Sequence, residues 1–253
     1  MAGLTAGLTG ALDASIGLCG ARARAESPLE LRGPFAHASY YLRNTTAGVF
    51  GGDAYEVNVT ATAGATVRVA GSSATKVHAG NGCVSSLAVR LAVEPGATLL
   101  WGPHATIVQS GASFRQATSI DVAVGGRALL AEVLVLGRTA HGERFEFQRL
   151  DSSLRVSLDG ATAYEEAYSL KPGPDLIASM GGRAVLASVY AVGFEAAGAS
   201  RRLECAQADA ALTGWSDLPN RAGLVVRGLH ASLSQGQDFV ERVTALLSAP
   251  SDR

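Results

Sequence analysis

Tyr55-Glu56-Val57-Asn58-Val59-Thr60-Ala61-Thr62-Ala63-Gly64-Ala65-Thr66-Val67-Arg68-Val69 reads as strand, tight turn, strand. Apolar residues alternate with polar or small ones on both sides of Gly64, which is the period of a strand with one buried face. The unit recurs in Ser86 to Trp101 around Pro95-Gly96, and in Ser119 to Val135 around Gly125-Gly126. These glycines, about thirty residues apart, supply the backbone conformations a tight turn needs. Strand-turn-strand units at a fixed period stack into layers. The expected fold is therefore mainly β: layered or superhelical β-hairpin sheets, with a small helical part near the C-terminus.

Outward from this repeat, a fourth hairpin is expected from Phe145 to Leu158, turning at Asp159-Gly160 and returning through Ala163 to Leu170. Pro172-Gly173-Pro174 then closes the strand region. Leu186 to Ala197 and Leu224 to Arg227 read as further strands, and Arg201 to Leu212 as a short helix. Phe239, Val240, Val243, Leu246 and Leu247 fall on one helical face, with Glu241 and Arg242 outside it. No linker divides the 253 residues, so residues 1–253 are read as one domain, with residues 1–30 open to being a flexible N-terminal segment.

Composition excludes several classes. A content of 47% hydrophobic and 17% charged residues suits a packed core. A formal net charge of −1 gives no electrostatic footprint for nucleic acid and no polybasic patch for a membrane. The apolar runs are too short and glycine-rich for a transmembrane helix. Ala21-Arg22-Ala23 resembles a cleavage site, but no basic residue precedes the Ala/Gly/Leu-rich start and Asp13 interrupts it. A cytoplasmic location follows as the default. Cys19, Cys83 and Cys205 form neither a disulfide framework nor a metal knuckle, and are read as reduced, mostly buried thiols.

No catalytic signature is present: no GxSxG elbow, HExxH, P-loop or GxGxxG. Gly51-Gly52-Asp53 reads from composition as a turn with a capping aspartate. His104, in Trp101-Gly102-Pro103-His104-Ala105, is either a metal ligand or a hydrogen-bonded loop residue, as are His78 and His141. Glu132 interrupts the apolar strand from Ala128 to Leu136. It needs a partner, a metal or water if both faces are covered, and none if it faces solvent. Glu143, near Arg138, fits a charged turn equally well. Glu165 and Glu166 read as solvated strand ends or as acids on a path for a divalent cation.

Taken in order, these segments resemble the UreD (UreH) family of urease accessory proteins. The shared segments are Gly51-Gly52-Asp53, Ala74-Thr75-Lys76-Val77, Leu99-Leu100-Trp101 with Pro103, Glu132 with Leu136-Gly137-Arg138, Gly142-Glu143 and Asp159-Gly160. The likeness spans about Phe35 to Leu170 and is fainter to Leu247. It implies a largely β superhelical fold and a non-enzymatic chaperone that helps insert nickel into apo-urease. The implied partners are the urease apoprotein and the UreF and UreG proteins. Nickel would pass along an internal polar route whose acids fall on Asp53, Glu132 and Glu166. By the same resemblance, Asp53→Ala and Glu132→Ala should leave folding intact and lower urease activation. Two departures stand out. Where the family carries Leu-Pro-Gln-Glu after the tryptophan, this chain has Gly102-Pro103-His104-Ala105. It also lacks the family's Arg-Ile-Trp ending.

Three readings compete with the scaffold: a β-rich module binding a ligand such as carbohydrate, a hydrolase using Glu132 with Glu143, and a divergent paralogue with another partner. With aromatics at only 6%, the exposed stacking surface a carbohydrate module needs is scarce. The hydrolase requires the two carboxyls roughly 5 to 10 Å apart.

Overall fold

The computed structural model describes residues 7–194 and 212–248. In chain order the elements are β1 (Thr9–Gly17), β2 (Gly20–Ala25), β3 (Leu29–Phe35), β4 (Ser39–Asn44), β5 (Ala54–Ala61), β6 (Thr66–Gly71), β7 (Thr75–Val77) and β8 (Ser85–Val93). They continue with β9 (Thr98–Val108), β10 (Ser113–Val122), β11 (Arg127–Val135), β12 (Arg149–Leu158), β13 (Ala161–Leu170), helix α1 (Pro174–Ser179), β14 (Val185–Val192), β15 (Thr213–Leu218), β16 (Gly223–His230) and helix α2 (Leu233–Ser248).

The repeat is real, but its first three units are not hairpins. β5, β8 and β10 lie in one sheet, in the order β13-β12-β10-β8-β5-β1-β2. β6, β9 and β11 lie in the other, in the order β15-β16-β14-β11-β9-β6-β4-β3, with β7 beside β9. Each unit is an arch: the chain leaves one sheet at the glycine turn and enters the facing sheet. Pairing runs between successive units and is parallel, with Ala54 opposite Ser86 and Thr66 opposite Thr98. The turns stack as well. The amides of Ala65, Ala97 and Gly126 close equivalent turns on the carbonyls of Thr62, Glu94 and Ala123, and Gly64 N–H reaches across to Pro95 O. Period-two alternation gives each strand one buried face whichever partner it takes, so arch and hairpin look alike locally.

The fourth unit is a true hairpin. β12 and β13 pair antiparallel around Asp159 and Gly160, both at positive φ. The Leu186 strand is β14, the Leu224 strand is β16, and the C-terminal helix is α2. The helix expected at Arg201 to Leu212 falls almost entirely outside the described residues. Helix α1 and strand β15 had no expectation. Residues 9–25, left open as a flexible segment, form β1 and β2, and β1 is held between β2 and β5. Cys19 is exposed and Cys83 half-buried, so the buried-thiol reading fails for both.

Two cores result. The larger fills the space between the sheets, with Leu12, Val57, Leu91, Phe114 and Leu150 facing Leu99, Trp101, Leu130 and Tyr190. The smaller lies on the other side of the second sheet. There Phe239, Val240, Val243 and Leu247 of α2 cover Leu129, Ala131, Val133 and Val135 of β11. Covered on both faces, β11 reads as continuous apolar sequence. Each fully buried aliphatic or aromatic side chain contributes about 1.5–3 kcal/mol. No helix among the described residues is long and apolar enough to cross a membrane.

Candidate functional site

The motif residues separate into two groups by what their side chains touch. The first group ties loops down at the ends of strands. Gly51 passes so close to Gly80 that a Cβ on it would stand 2.2 Å from the Gly80 Cα. Gly52 has φ +90, a conformation L side chains rarely adopt. Asp53 then closes the turn. Its buried carboxylate accepts from Phe50 N–H at 2.8 Å, from Leu8 N–H at 2.8 Å and from the Tyr55 hydroxyl at 3.0 Å. The three donors join the first described residues to the repeat. Removing their acceptor costs stability, so the expectation that Asp53→Ala leaves folding intact needs revision.

Glu143 does the same work elsewhere. Its buried carboxylate accepts from Ser110 N–H at 2.8 Å, from Arg138 N–H at 3.2 Å and from Arg138 Nε at 2.7 Å. Burial raises its pKa, but the Arg138 guanidinium and the two amides outweigh that and hold it below the ordinary range. This is the Arg-Glu turn of the sequence reading. Thr75 and Lys76 lie on β7, where Thr75 pairs with Thr106 and Lys76 with Ile107. Lys76 is exposed, while Thr75 borders the interior. His78 stacks on Phe50 with ring centroids 4.5 Å apart, and His141 sits in an exposed loop.

The second group meets between the sheets. On β9, Leu99 and Trp101 face the main core. Regular alternation would next turn Pro103 inward. Instead Leu130 pairs with Trp101 and Glu132 with His104, so β9 carries one extra residue at Gly102-Pro103. This bulge re-phases the strand and turns His104 and Thr106 to the inside. Glu132 pairs in turn with Ser188 on β14, and Ser188 with Arg227 on β16. A row of four polar residues, His104, Glu132, Ser188 and Arg227, therefore crosses the inner face of the second sheet. Glu166 and Tyr168 of β13 and Gln116 of β10 face it from the first sheet. Glu165, beside Glu166, points outward and pairs with Arg155.

Two cavities border the His104–Glu132 end of this row. One of about 190 Å³ is lined by Asn44, Thr46, Tyr55, Thr75 and His104, among others. The next, of about 60 Å³, is lined by Thr75, His104, Thr106, Gln116, Thr118 and Glu132, among others. They share Thr75 and His104. At roughly 10–15 Å³ of such volume per water, even the smaller holds several waters. Asp53 reaches the larger cavity through its hydrogen bond with Tyr55.

Glu132 and Glu166 are electrostatically coupled, and their carboxyls are shifted in opposite directions. Burial, reinforced by the Glu166 charge and only partly offset by Arg227, pushes the Glu132 carboxyl up to about 7. Glu132 makes no hydrogen bond or ion pair among the described residues, and it lines the smaller cavity. Glu166 is also raised by burial, but Arg227 and Tyr164 outweigh this and hold it below the usual carboxylate range. Arg227 Nη2 donates to Glu166 Oε1 and to the Tyr190 hydroxyl, both at 2.6 Å, and Tyr164 donates to Glu166 Oε2. Among the described residues no three His, Cys, Asp or Glu side chains converge as a metal site.

Arg227, Tyr164, Tyr168, Tyr190 and Gln116 were not singled out from sequence. Tyr164-Glu165-Glu166-Ala167-Tyr168 does alternate, which places Tyr164, Glu166 and Tyr168 on one face. Arg227 follows three apolar strand residues, the same signal that marked Glu132.

Comparison with known proteins agrees with this arrangement of motifs. The sequence model of the family described as UreD urease accessory protein matches residues 19–252. The urease accessory protein UreD of Anaeromyxobacter sp. (strain Fw109-5) is 33% identical over 236 residues, covering 89% of this chain and 79% of that protein. The UreD of Haloarcula marismortui is 32% identical over 218 residues, covering 84% of this chain and 71% of the relative. UreD 2 of Synechococcus sp. (strain JA-3-3Ab) is 37% identical over a shorter 132 residues, 52% of this chain and 48% of that protein. With a match across nearly its whole length, the chain belongs to the UreD family of urease accessory proteins.

Proposed function

We propose that the chain is a non-catalytic scaffold for nickel insertion into apo-urease, acting in the cytoplasm. It bridges the urease apoprotein and the UreF and UreG proteins, and it passes nickel, as cargo, through the space between its two sheets. The observation that carries this reading is the polar row His104, Glu132, Ser188 and Arg227 inside the core between the sheets, with cavities large enough for water at its His104–Glu132 end. An unpartnered Glu132 and His104 Nε2 cost the core stability. A hydrated divalent cation gains a path.

Of the three acids assigned to the route, Glu132 is the one with a carboxyl free to meet the cargo. Asp53 and Glu166 act as walls, their carboxylates already taken by protein donors. A Glu132 carboxyl raised to about 7 suits transit, because it gives up its proton readily to an arriving cation and takes one back as the ion leaves. Two or fewer protein ligands per step keep the ion exchangeable, whereas a closed site would trap it.

The test is to express the tagged chain with urease subunits, UreF and UreG, and to measure recovery of the complex and nickel-dependent urease activity. Activity lost on omitting the chain, and lost again with Glu132→Ala in an intact complex, supports the reading. An intact complex with Glu132→Ala and full activation removes Glu132 from the route.

A further inference from the structure

His104 Nε2 is buried and has no hydrogen-bond partner among the described residues. An unpaired buried polar atom costs about 1–3 kcal/mol, so its persistence asks for a use. The ring is held in place from several sides. It packs on Trp101 with centroids 4.3 Å apart and planes tilted by 32°. Its backbone hydrogen bond is to Val69, which engages the other ring nitrogen, Nδ1. Gly71 leaves the room: a Cβ there would stand 3.3 Å from Nδ1. With Nδ1–H given to a carbonyl, Nε2 carries the lone pair. Imidazoles that bind metals are oriented in this way.

His104 lines both cavities, with Nε2 just beneath their surface, and the residue paired with His104 on the adjacent parallel strand is Glu132. Neighbouring strands are about 4.8 Å apart, so side chains paired on the same face can reach one ion between them. Thr75 and Thr106 add hydroxyls at the same junction. We infer that His104 Nε2 and the Glu132 carboxylate form a two-ligand way station for Ni2+ in transit, completed by water. The inference rests on the nickel-relay reading and adds a nitrogen ligand to a route otherwise lined by oxygen. Nitrogen and oxygen donors together favour a later transition-metal ion over Mg2+ or Ca2+. The station belongs to this chain's own Pro103-His104-Ala105 segment.

The test titrates the full-length chain, 15N-labelled at histidine, with Ni2+ alone. The His104 ring signals should broaden at sub-stoichiometric metal, ahead of those of His37 and His141. In competition with a chromophoric chelator, His104→Gln and Glu132→Gln should each weaken the tightest site about tenfold, and the double variant should lose little more than either. Binding within twofold of wild type in His104→Gln, together with an unbroadened His104 signal, overturns the station. If that binding still depends on Glu132, the relay reading survives. If the wild-type chain takes up no interior Ni2+ at all, both fall together. The wild-type spectrum decides even where a variant folds poorly.

Discussion

Glu166 and Arg227 meet across the gap between the two sheets, 61 residues apart in the chain, with Arg227 Nη2 2.6 Å from Glu166 Oε1. Each belongs to a different sheet, so the pair is a strut where β13 and β16 face one another. Tyr164 and Tyr190 complete it. Arg227→Met should leave half-buried Glu166 with the Tyr164 and Tyr190 hydroxyls but no ion pair, and cost about 2 kcal/mol, less than a fully buried pair because both side chains retain some exposure. Adding Glu166→Leu should recover part of that loss. Urea unfolding checks this: the midpoint should drop in the single variant and rise again in the double. Equal midpoints for wild type and Arg227→Met would remove the strut.

Glu132 should trade stability for its role. Its pKa rises from 4.5 to about 7 on folding. The folded state therefore holds a proton that the unfolded chain gives up, and this group's contribution is greatest below about pH 4.5 and lost as pH rises through about 7. Glu132→Gln removes the dependence. The variant should match wild type at pH 4.5 and exceed it at pH 8 by up to about 3 kcal/mol, while activating urease poorly. Chemical unfolding at both pH values is the measurement.

Glu143 should show the opposite sign. Its pKa is lowered on folding, so its contribution is present above the unfolded value of 4.5 and lost as pH falls through the lower folded value. At pH 7, Glu143→Gln should be less stable than wild type by about 1–3 kcal/mol. That gap should close in acid, as a denaturation series from pH 7 to pH 3 would show.

Asp53→Asn separates a structural from a cargo role. Weakened bonds to Leu8 and Phe50 should cost about 1–3 kcal/mol and speed amide exchange at the start of β1. Unchanged exchange with lost activation would instead make Asp53 a nickel contact.

Much of the fold was legible in the sequence, for identifiable reasons. Alternation around Gly64, Gly96 and Gly125 marks the strands and turns of the repeat, and Phe239 to Leu247 mark the helical face. Pairing partners were not legible, because alternation records which face is buried and is silent on the neighbour. β1 and β2 were missed because Ala and Gly there give faint alternation. Glu132 was legible as an anomaly in an apolar strand. Its row was not, since the row assembles from β9, β11, β14 and β16, and strand register is a property of the folded ladder. The Gly51-Gly52-Asp53 motif was legible as a turn, but its tie to Leu8 spans 45 residues.

The extra residue at Gly102-Pro103 gives the interior an address written in chain length. Every residue from His104 to Val108 keeps its identity whether or not the bulge is there, yet shortening the strand by one position would exchange the environments of the whole segment. Ala105 and Ile107 would enter the cavities, while His104 and Thr106 would be driven against α2. A single-residue deletion there would thus dismantle the polar row more thoroughly than replacing any one of its side chains. Alignments that score only which amino acids are present would overlook what sets this row apart from ordinary core.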